Sequence, residues 1–248
     1  MTKIKLYSQY DHFPNHKPDN VIACYNDGKI YSEIEPNSIA LMIEPRSLQE
    51  ENYKWLENNY YKFRYVFTHD SILLSRIPNG KQIYWGGVWG WSDHDIKSGI
   101  SMVSSDKEMC PLHVARKKLA YELQGLVDCY GTFNGGEYVT TDRIYGHYCF
   151  SVAIENYVDD YWFTEKICNC FANNCIPIYY GARRIDEIFN PEGIIRVNDI
   201  SEIKPLIKNL DVVSEYKKRH DAMVENRKIV EKYANFETWF FNEYGELL

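Results

Sequence analysis

YCFSVAIENYVDDYWFTEKICNCFANNCIPIYYGA, residues Tyr148 to Ala182, reads as a buried strand, a polar aromatic loop, a helix and a second buried strand. Phe150 to Ile154 and Ile176 to Tyr180 are apolar, partly β-branched runs of strand length. Thr164 to Asn174 between them has helical character, and Thr164 is placed to cap it. The free amide donors of that first turn and the helix dipole favour an anion there. Lys166 lies in the same turn, where the dipole opposes a cation, and a bound diphosphate would account for it. A solvated surface lysine is the plainer reading of Lys166 taken alone.

Outward from this unit the chain keeps an α/β character. Ile4 to Tyr7, Val21 to Cys24, Ile39 to Ile43, Tyr65 to Thr68 and Gln82 to Tyr84 read as strands, with a helix from Ser47 to Asn59. They suit a small Rossmann-like sheet of open strand order. Glu44 follows the apolar run IALMI and precedes Pro45, at the carboxyl end of a predicted parallel strand, where α/β sheets place ligand crevices. It is a candidate general base; pairing with Arg46 or capping the next helix would equally explain it. YWGGVWGW, Tyr84 to Trp91, is a glycine-tryptophan loop expected at a domain junction, with sugar stacking as the alternative. Ser92 to Gly99 reads as a linker. Ile100 to Ser104 is the next strand, and a helix runs from Pro111 to Leu123 carrying the basic run Arg116, Lys117 and Lys118, which by itself reads as a solvated face. Val127 to Gly131 is a strand, and Asn134, Gly135 and Gly136 mark a turn. Beyond Ala182 come a short helix at Ile185 to Phe189, a strand at Gly193 to Asn198, helices at Ser201 to Leu210 and Ser214 to Lys232, and an aromatic segment from Phe236 to Tyr244.

Composition bounds the function. The chain has 248 residues, 45% of them hydrophobic and 25% charged, as expected of a soluble globular protein of one large or two small domains. A net charge of −7 argues against nucleic acid as the main partner, which would need a basic footprint. Twenty-one tyrosines and six tryptophans suit sugar binding and suit an aromatic core equally well. The seven cysteines form no paired framework, and the opening MTKIKLYSQY is too short an apolar run for a secretory leader, so reduced thiols in a cytoplasmic setting are expected. Cys168, Cys170 and Cys175 have no nearby histidine to complete a zinc set and read as small buried residues. No stretch approaches ~18 consecutive apolar residues, so no transmembrane segment is expected. Oligomeric state is left open.

The order Glu155, Asn156, an aromatic acidic loop, Thr164, Glu165, Lys166, Ile176, Pro177 and a Tyr180-Gly181 turn resembles the donor-binding signature of the α-1,3/4-fucosyltransferases, glycosyltransferase family 10, clearest over Ser101 to Asn198. The resemblance is to the short microbial or viral type. It implies a GT-B-like α/β fold, two Rossmann-like domains facing across a cleft with the N-terminal one abbreviated. The expected division is 1–95 on the acceptor side, 96–225 for the nucleotide-sugar donor, and 226–248 returning to the first domain through Trp239, Phe240 and Phe241. It also implies transfer of fucose from GDP-fucose, with inversion, to a hydroxyl of an oligosaccharide or glycoconjugate. Carried onto this sequence, Arg116 and Lys166 hold phosphate, Asn156 and Thr164 belong to the donor site, Glu165 binds ribose or steadies positive charge at the sugar, and Glu44 is the base. Trp162, also carried over to the donor site, stands where bacterial members usually have tyrosine, and an indole can stack or donate one hydrogen bond but accept none.

Moving a sugar off a nucleotide diphosphate requires a base for the acceptor and charge neutralisation on the departing diphosphate. An arginine can grip a diphosphate through two parallel hydrogen bonds. Asp93-His94-Asp95 has the spacing of a metal-binding Asp-x-Asp but lies in the linker, so Arg116, Lys166 and helix amides are expected to do the work of a divalent metal, and no cofactor is expected. Two other functions fit: a same-fold transferase using another nucleotide sugar, and a non-catalytic sugar-nucleotide or glycan-binding module.

Overall fold

A computed structural model describes residues 3–8, 12–15, 21–94 and 97–248. Asp95, the last residue of the Asp-x-Asp spacing, lies outside the described residues. The chain forms two compact units: Met1–Trp85 with Asp159–Trp162 and Asn235–Leu248, and Gly86–Val158 with Phe163–Ala234.

The first unit is built on five parallel strands, β1 (Lys3–Tyr7), β2 (Val21–Asn26), β3 (Ile39–Met42), β4 (Tyr65–Thr68) and β5 (Gly80–Gln82), lying in the order 1-2-3-4-5. All four residues of β3 are buried, as in a parallel sheet covered on both faces. Successive side chains alternate between those faces. Ala40, Met42 and Val66 join the core cluster of Tyr53 and Leu56 from α1 (Arg46–Asn59). Phe67 packs with its ring 4.8 Å from that of Phe240, on α7 (Phe236–Tyr244). Phe13 meets both Phe240 and Phe241 edge to face, and Trp239 lies 5.8 Å from Tyr84. Asn235 caps α7 through the Thr238 amide, and Glu237 accepts from Asn15, so the last helix is held at its start by hydrogen bonds as well as rings.

Two features of this unit depart from the sequence expectation. β5 is Gly80–Gln82, two residues before the run Gln82 to Tyr84, because its register is set by pairing Val66 with Gly80 and Thr68 with Gln82. An unexpected helix, α2 (Ser71–Arg76), follows β4; Asp70 caps it by accepting from the Leu73 amide and also receives two hydrogen bonds from Arg46.

The second unit holds β6 (Ile100–Val103), β7 (Asp128–Tyr130), β8 (Phe150–Ile154), β9 (Ile176–Tyr180) and β10 (Ile195–Arg196), also all parallel, in the order 10-9-8-6-7. Every residue of β8 is buried. The helices are α3 (Pro111–Leu123), α4 (Glu165–Ala172), α5 (Ile203–Asn209) and the long α6 (Val212–Tyr233). Thr164 is the N-cap of α4, and the helix ends where Asn174 turns left-handed (φ 51°) and Cys175 donates back to the Cys170 carbonyl, which turns the chain into β9. The seven cysteines are free thiols, with Cys168, Cys170 and Cys175 buried against these elements. No helix among the described residues is long and apolar enough to cross a membrane.

Candidate functional site

In its own numbering the second sheet runs 2-1-3-4-5. The chain leaves β6 to one side to make β7 and then returns to the other side for β8, so the connections diverge between β6 and β8. In parallel α/β sheets the crevice at the carboxyl ends of two such strands is the ligand position. A cavity of about 370 Å³ lies there, lined by Val103 and Ser104 from the end of β6 and by Ile154 and Asn156 from the end of β8.

Charged groups reach this cavity from the two flanking helices. Arg116 on α3 is only 7% exposed, and its Nη1 donates to the Ile154 carbonyl (2.9 Å) and to Asn156 Oδ1 (2.8 Å). Its Nε has no partner. The helix turns about 100° per residue, and this separates the basic run: Lys117 bonds Glu108, and Lys118 has 78% of its side chain in solvent. One member of the run is therefore a buried cation at the cavity and two belong to the surface. Burial pulls the Arg116 guanidinium below its ordinary value, against the carboxylates of Glu155 and Glu165.

The start of α4 supplies the other side. Lys166 Nζ donates to Thr164 Oγ1 (2.9 Å) and Glu165 Oε1 (3.1 Å) and lies 3.4 Å from Glu155 Oε2. Burial lowers the ammonium, but Glu165 and Glu155 outweigh it and hold Lys166 above its ordinary value. Glu165 shows the converse: burial pushes its carboxyl up, and Lys166 brings it below the usual range. Glu155 is fully buried and accepts from the Thr164 amide (2.9 Å) and hydroxyl (2.7 Å). Burial dominates there and raises its carboxyl. Gly181 is required beside it, since a Cβ at that position would come within 2.6 Å of Glu155 Cγ and would also collide with the Tyr179 hydroxyl. The Tyr180-Gly181 turn thus closes over the carboxylate that anchors the entry to α4.

His113 also lines the cavity, one helical turn before Arg116 and on the same face of α3. Burial and then the charges of Arg116 and Lys166 push its imidazole down to about 4, so it is neutral at pH 7. Its Nδ1 is buried with no partner. With both carboxylates ionised, Arg116, Lys166, Glu155 and Glu165 sum to zero charge, and two residues of the lining, Arg116 and His113, each keep one buried nitrogen without a hydrogen-bond partner. An arrangement of this kind can receive a multivalent anion by drawing Lys166 away from Glu165.

Of the residues singled out in the sequence, Arg116, Asn156, Glu165 and Lys166 line this one cavity. Thr164 is buried beneath it as the cap of α4 and the partner of Glu155. Trp162 is not part of the lining; it is grouped with the first unit and packs its ring 5.4 Å from His69. Glu44 also belongs to the first unit, directly after β3. Its amide donates to Asp27 Oδ1 (3.2 Å) and its carbonyl accepts from the Tyr53 hydroxyl (2.8 Å), while Arg46 bonds Asp70 and Glu57. His113, Ser104, Tyr145, Asn169 and Trp89 line the cavity without having been singled out individually. The signal for His113 was present as its i, i+3 spacing to Arg116; Tyr145 enters through a π-helical turn, Asp142–Gly146, that has no sequence signature. Trp89 is 63% exposed, and its amide donates to Asn169 Oδ1 on α4, so this tryptophan of the YWGGVWGW loop stands at the cavity wall.

The profile described as glycosyltransferase family 10 (fucosyltransferase) C-term matches residues 97–240, more than half of the chain and all of the cavity's charged residues. The chain belongs to glycosyltransferase family 10. Among curated proteins, the α-(1,3)-fucosyltransferase FucT of Helicobacter pylori is 29% identical over 80 residues, 32% of this chain and 17% of that relative. Among solved structures, an α1,3-fucosyltransferase with GDP superposes with a TM-score of 0.57 at 15% identity, covering 86% of this chain and 72% of that one. Another structure of an α1,3-fucosyltransferase gives 0.51 at 15% identity, over 79% and 71%. At such identities the structural likeness speaks for the fold, which in this family 10 chain is GT-B-like, with two parallel-sheet α/β units.

Proposed function

We propose that this chain transfers fucose from GDP-fucose to a hydroxyl of a glycan acceptor, with inversion, the second unit binding the donor and the first serving the acceptor. The observation that carries the reading is the convergence of Arg116, Asn156, Glu165 and Lys166 on one cavity at the strand-order reversal of the second sheet. Arg116 and Lys166 would take the diphosphate, with the unpaired Arg116 Nε and the neutral His113 ring as further donors, and no metal would be needed at the phosphates. Glu165, once Lys166 turns to the diphosphate, would be free to accept hydrogen bonds from ribose or to steady positive charge on the sugar. Glu44 would take the proton of the acceptor hydroxyl as its oxygen bonds the anomeric carbon and the bond from that carbon to the diphosphate breaks.

Calorimetric titration with GDP, GDP-fucose, GDP-mannose and UDP-sugars tests the reading. Selective binding of GDP and GDP-fucose is expected, weakened about 10–100-fold in Lys166→Ala, the equivalent of a charged hydrogen bond worth about 1.5–3 kcal/mol. Binding of GDP-mannose or a UDP-sugar in place of GDP-fucose would assign another donor. Donor binding with no transfer across an acceptor panel would mark a binding module, and no nucleotide binding at all would end the enzyme reading.

A further inference from the structure

A second constellation lies in the same unit, outside the cavity lining. His94, Asp142 and His147 each offer a ligand atom, and these atoms lie within 4.8 Å of one another. His94 Nε2 is 2.7 Å from Asp142 Oδ1, His147 Nε2 is 3.9 Å from Asp142 Oδ2, and the two imidazoles stack with centroids 4.0 Å apart. Among the described residues this is the one group of three or more His, Cys, Asp or Glu side chains close enough to share an ion.

The backbone around the group is held in place. Asp93, next to His94, accepts from Arg227 on α6 (2.7 Å) and from Asn174 at the end of α4 (2.8 Å), and Ser92 bonds Asn173 (2.7 Å). Lys97 donates to the Asn173 carbonyl (2.7 Å) and to that of Gly146. Asp142 begins the π-helical turn that ends at Gly146, and His147 follows it. A Cβ on Gly146 would lie 2.7 Å from Asp142 Oδ1, 2.8 Å from Ser92 Oγ and 3.0 Å from the His94 ring, so the turn and the loop meet closely at this glycine.

We propose that His94, Asp142 and His147 bind one divalent transition-metal ion, clipping the loop at 92–94 to the turn at 142–147. Two imidazole nitrogens and one carboxylate oxygen suit zinc, cobalt or nickel, whereas magnesium and calcium favour all-oxygen sets. A tetrahedral ion with bonds of roughly 2.0–2.1 Å needs donor atoms roughly 3.3 Å apart. The His94–Asp142 pair would open slightly and His147 would close toward them, within the reach of side-chain rotation on a braced backbone. Water would complete the coordination. Thr141, Ile144 and Tyr145 of the same turn line the cavity, so the ion would restrain one cavity wall without touching the diphosphate.

The test uses the full chain, freed of metal with a chelator and titrated with zinc and with cobalt. One ion per chain is expected, with a rise in the unfolding temperature, and affinity at least about tenfold weaker in His94→Ala, His147→Ala and Asp142→Asn but unchanged in the exposed control His220→Ala. A readout on the unaltered protein guards against misfolded variants: zinc should protect His94 and His147, and not His220, from acylation by diethyl pyrocarbonate as read by mass spectrometry. Failure of the unaltered chain to bind either ion would overturn the proposal. So would zinc binding that leaves His94 and His147 as reactive as before, since the ion would then sit elsewhere.

Discussion

The two sheets have five parallel strands each and differ in how they are wound. Among the described residues the first runs 1-2-3-4-5, each strand added on the same side of the last, so no pair of its neighbouring strands sends its connections in opposite directions. The second reverses once, between β6 and β8, and there the backbone itself opens a crevice that α3 and α4 fill with charge. The residues at the strand ends differ accordingly. Behind β3 the polar groups close on one another, with Glu44 held through its own backbone by Asp27 and Tyr53 and with His69 bonded to the Ile43 carbonyl. Behind β8 a cavity stays open, lined by Arg116 and His113, each of which keeps one buried nitrogen unpaired. Equal strand numbers therefore produce a charged cavity at the strand ends of one sheet, and a closed polar network at those of the other.

The sharpest way to break this contrast is Glu44→Gln. Turnover should fall on the order of 10²–10⁴-fold, with GDP affinity kept, because only the first unit loses its proposed base; unchanged turnover in a transfer assay would remove Glu44 from the mechanism. Arg116→Lys should act the other way round, weakening GDP binding about 10–100-fold in calorimetry, since an ammonium cannot serve the Ile154 carbonyl, Asn156 and a phosphate with the geometry of a guanidinium. Affinity close to that of the unaltered chain would show that the buried arginine is a structural strut.

A smaller effect is expected at His113. Its folded pKa, about 4, lies below the ordinary 6.5, so on acidification the unfolded chain takes the proton first. Stability held by the neutral ring is complete above about pH 6.5 and is lost as pH falls toward 4. A diphosphate offsetting Arg116 and Lys166 should raise this value, so GDP binding near pH 5 should take up a fraction of a proton, absent in His113→Gln, as read by calorimetry in buffers of different ionisation heat. The smallest effect belongs to the first unit. Burial pushes the Asp159 carboxyl up, but His69, its Nδ1 3.9 Å away, and hydrogen bonds from the Ser71 amide and hydroxyl outweigh it and bring it from 3.8 to about 2. That stability is present above about pH 4 and lost as pH falls through 2. Asp159→Asn should lower the unfolding temperature at pH 7 by roughly 2–4 °C for a cost of about 1 kcal/mol, with the gap closing near pH 2 and GDP binding unaltered.

Much of the local structure was legible beforehand. Phe150 to Ile154, Ile176 to Tyr180, Pro111 to Leu123 and Phe236 to Tyr244 form elements at those bounds because each run carries its own period and its own start or stop signal. β5 was displaced because its three residues are only half-buried and pair along one edge, which leaves little hydrophobic pattern to read. α2 was missed because six residues after Asp70 are too few to show a helical period. At the site, the signature residues were legible and the resemblance marked Arg116 within its basic run, yet the run's charge alone read as a solvated face until the helix turned Arg116 inward, and His113 drew no reading of its own.

Residues near one another in the chain were enough to decide the strand, helix and strand of Tyr148 to Ala182, the cap at Thr164, and the cation at Lys166, read as a partner for a bound diphosphate or as a surface lysine. Only the tertiary structure decided the side on which each strand was added, and with it the place of the cavity. It alone brought Arg116 to Asn156 across 40 positions and His94 to Asp142 across 48, and set Glu155 against Lys166. The physical reason is range. Periodicity and capping act within a few residues of the chain, whereas strand order, burial and charge balance depend on groups that folding alone makes neighbours.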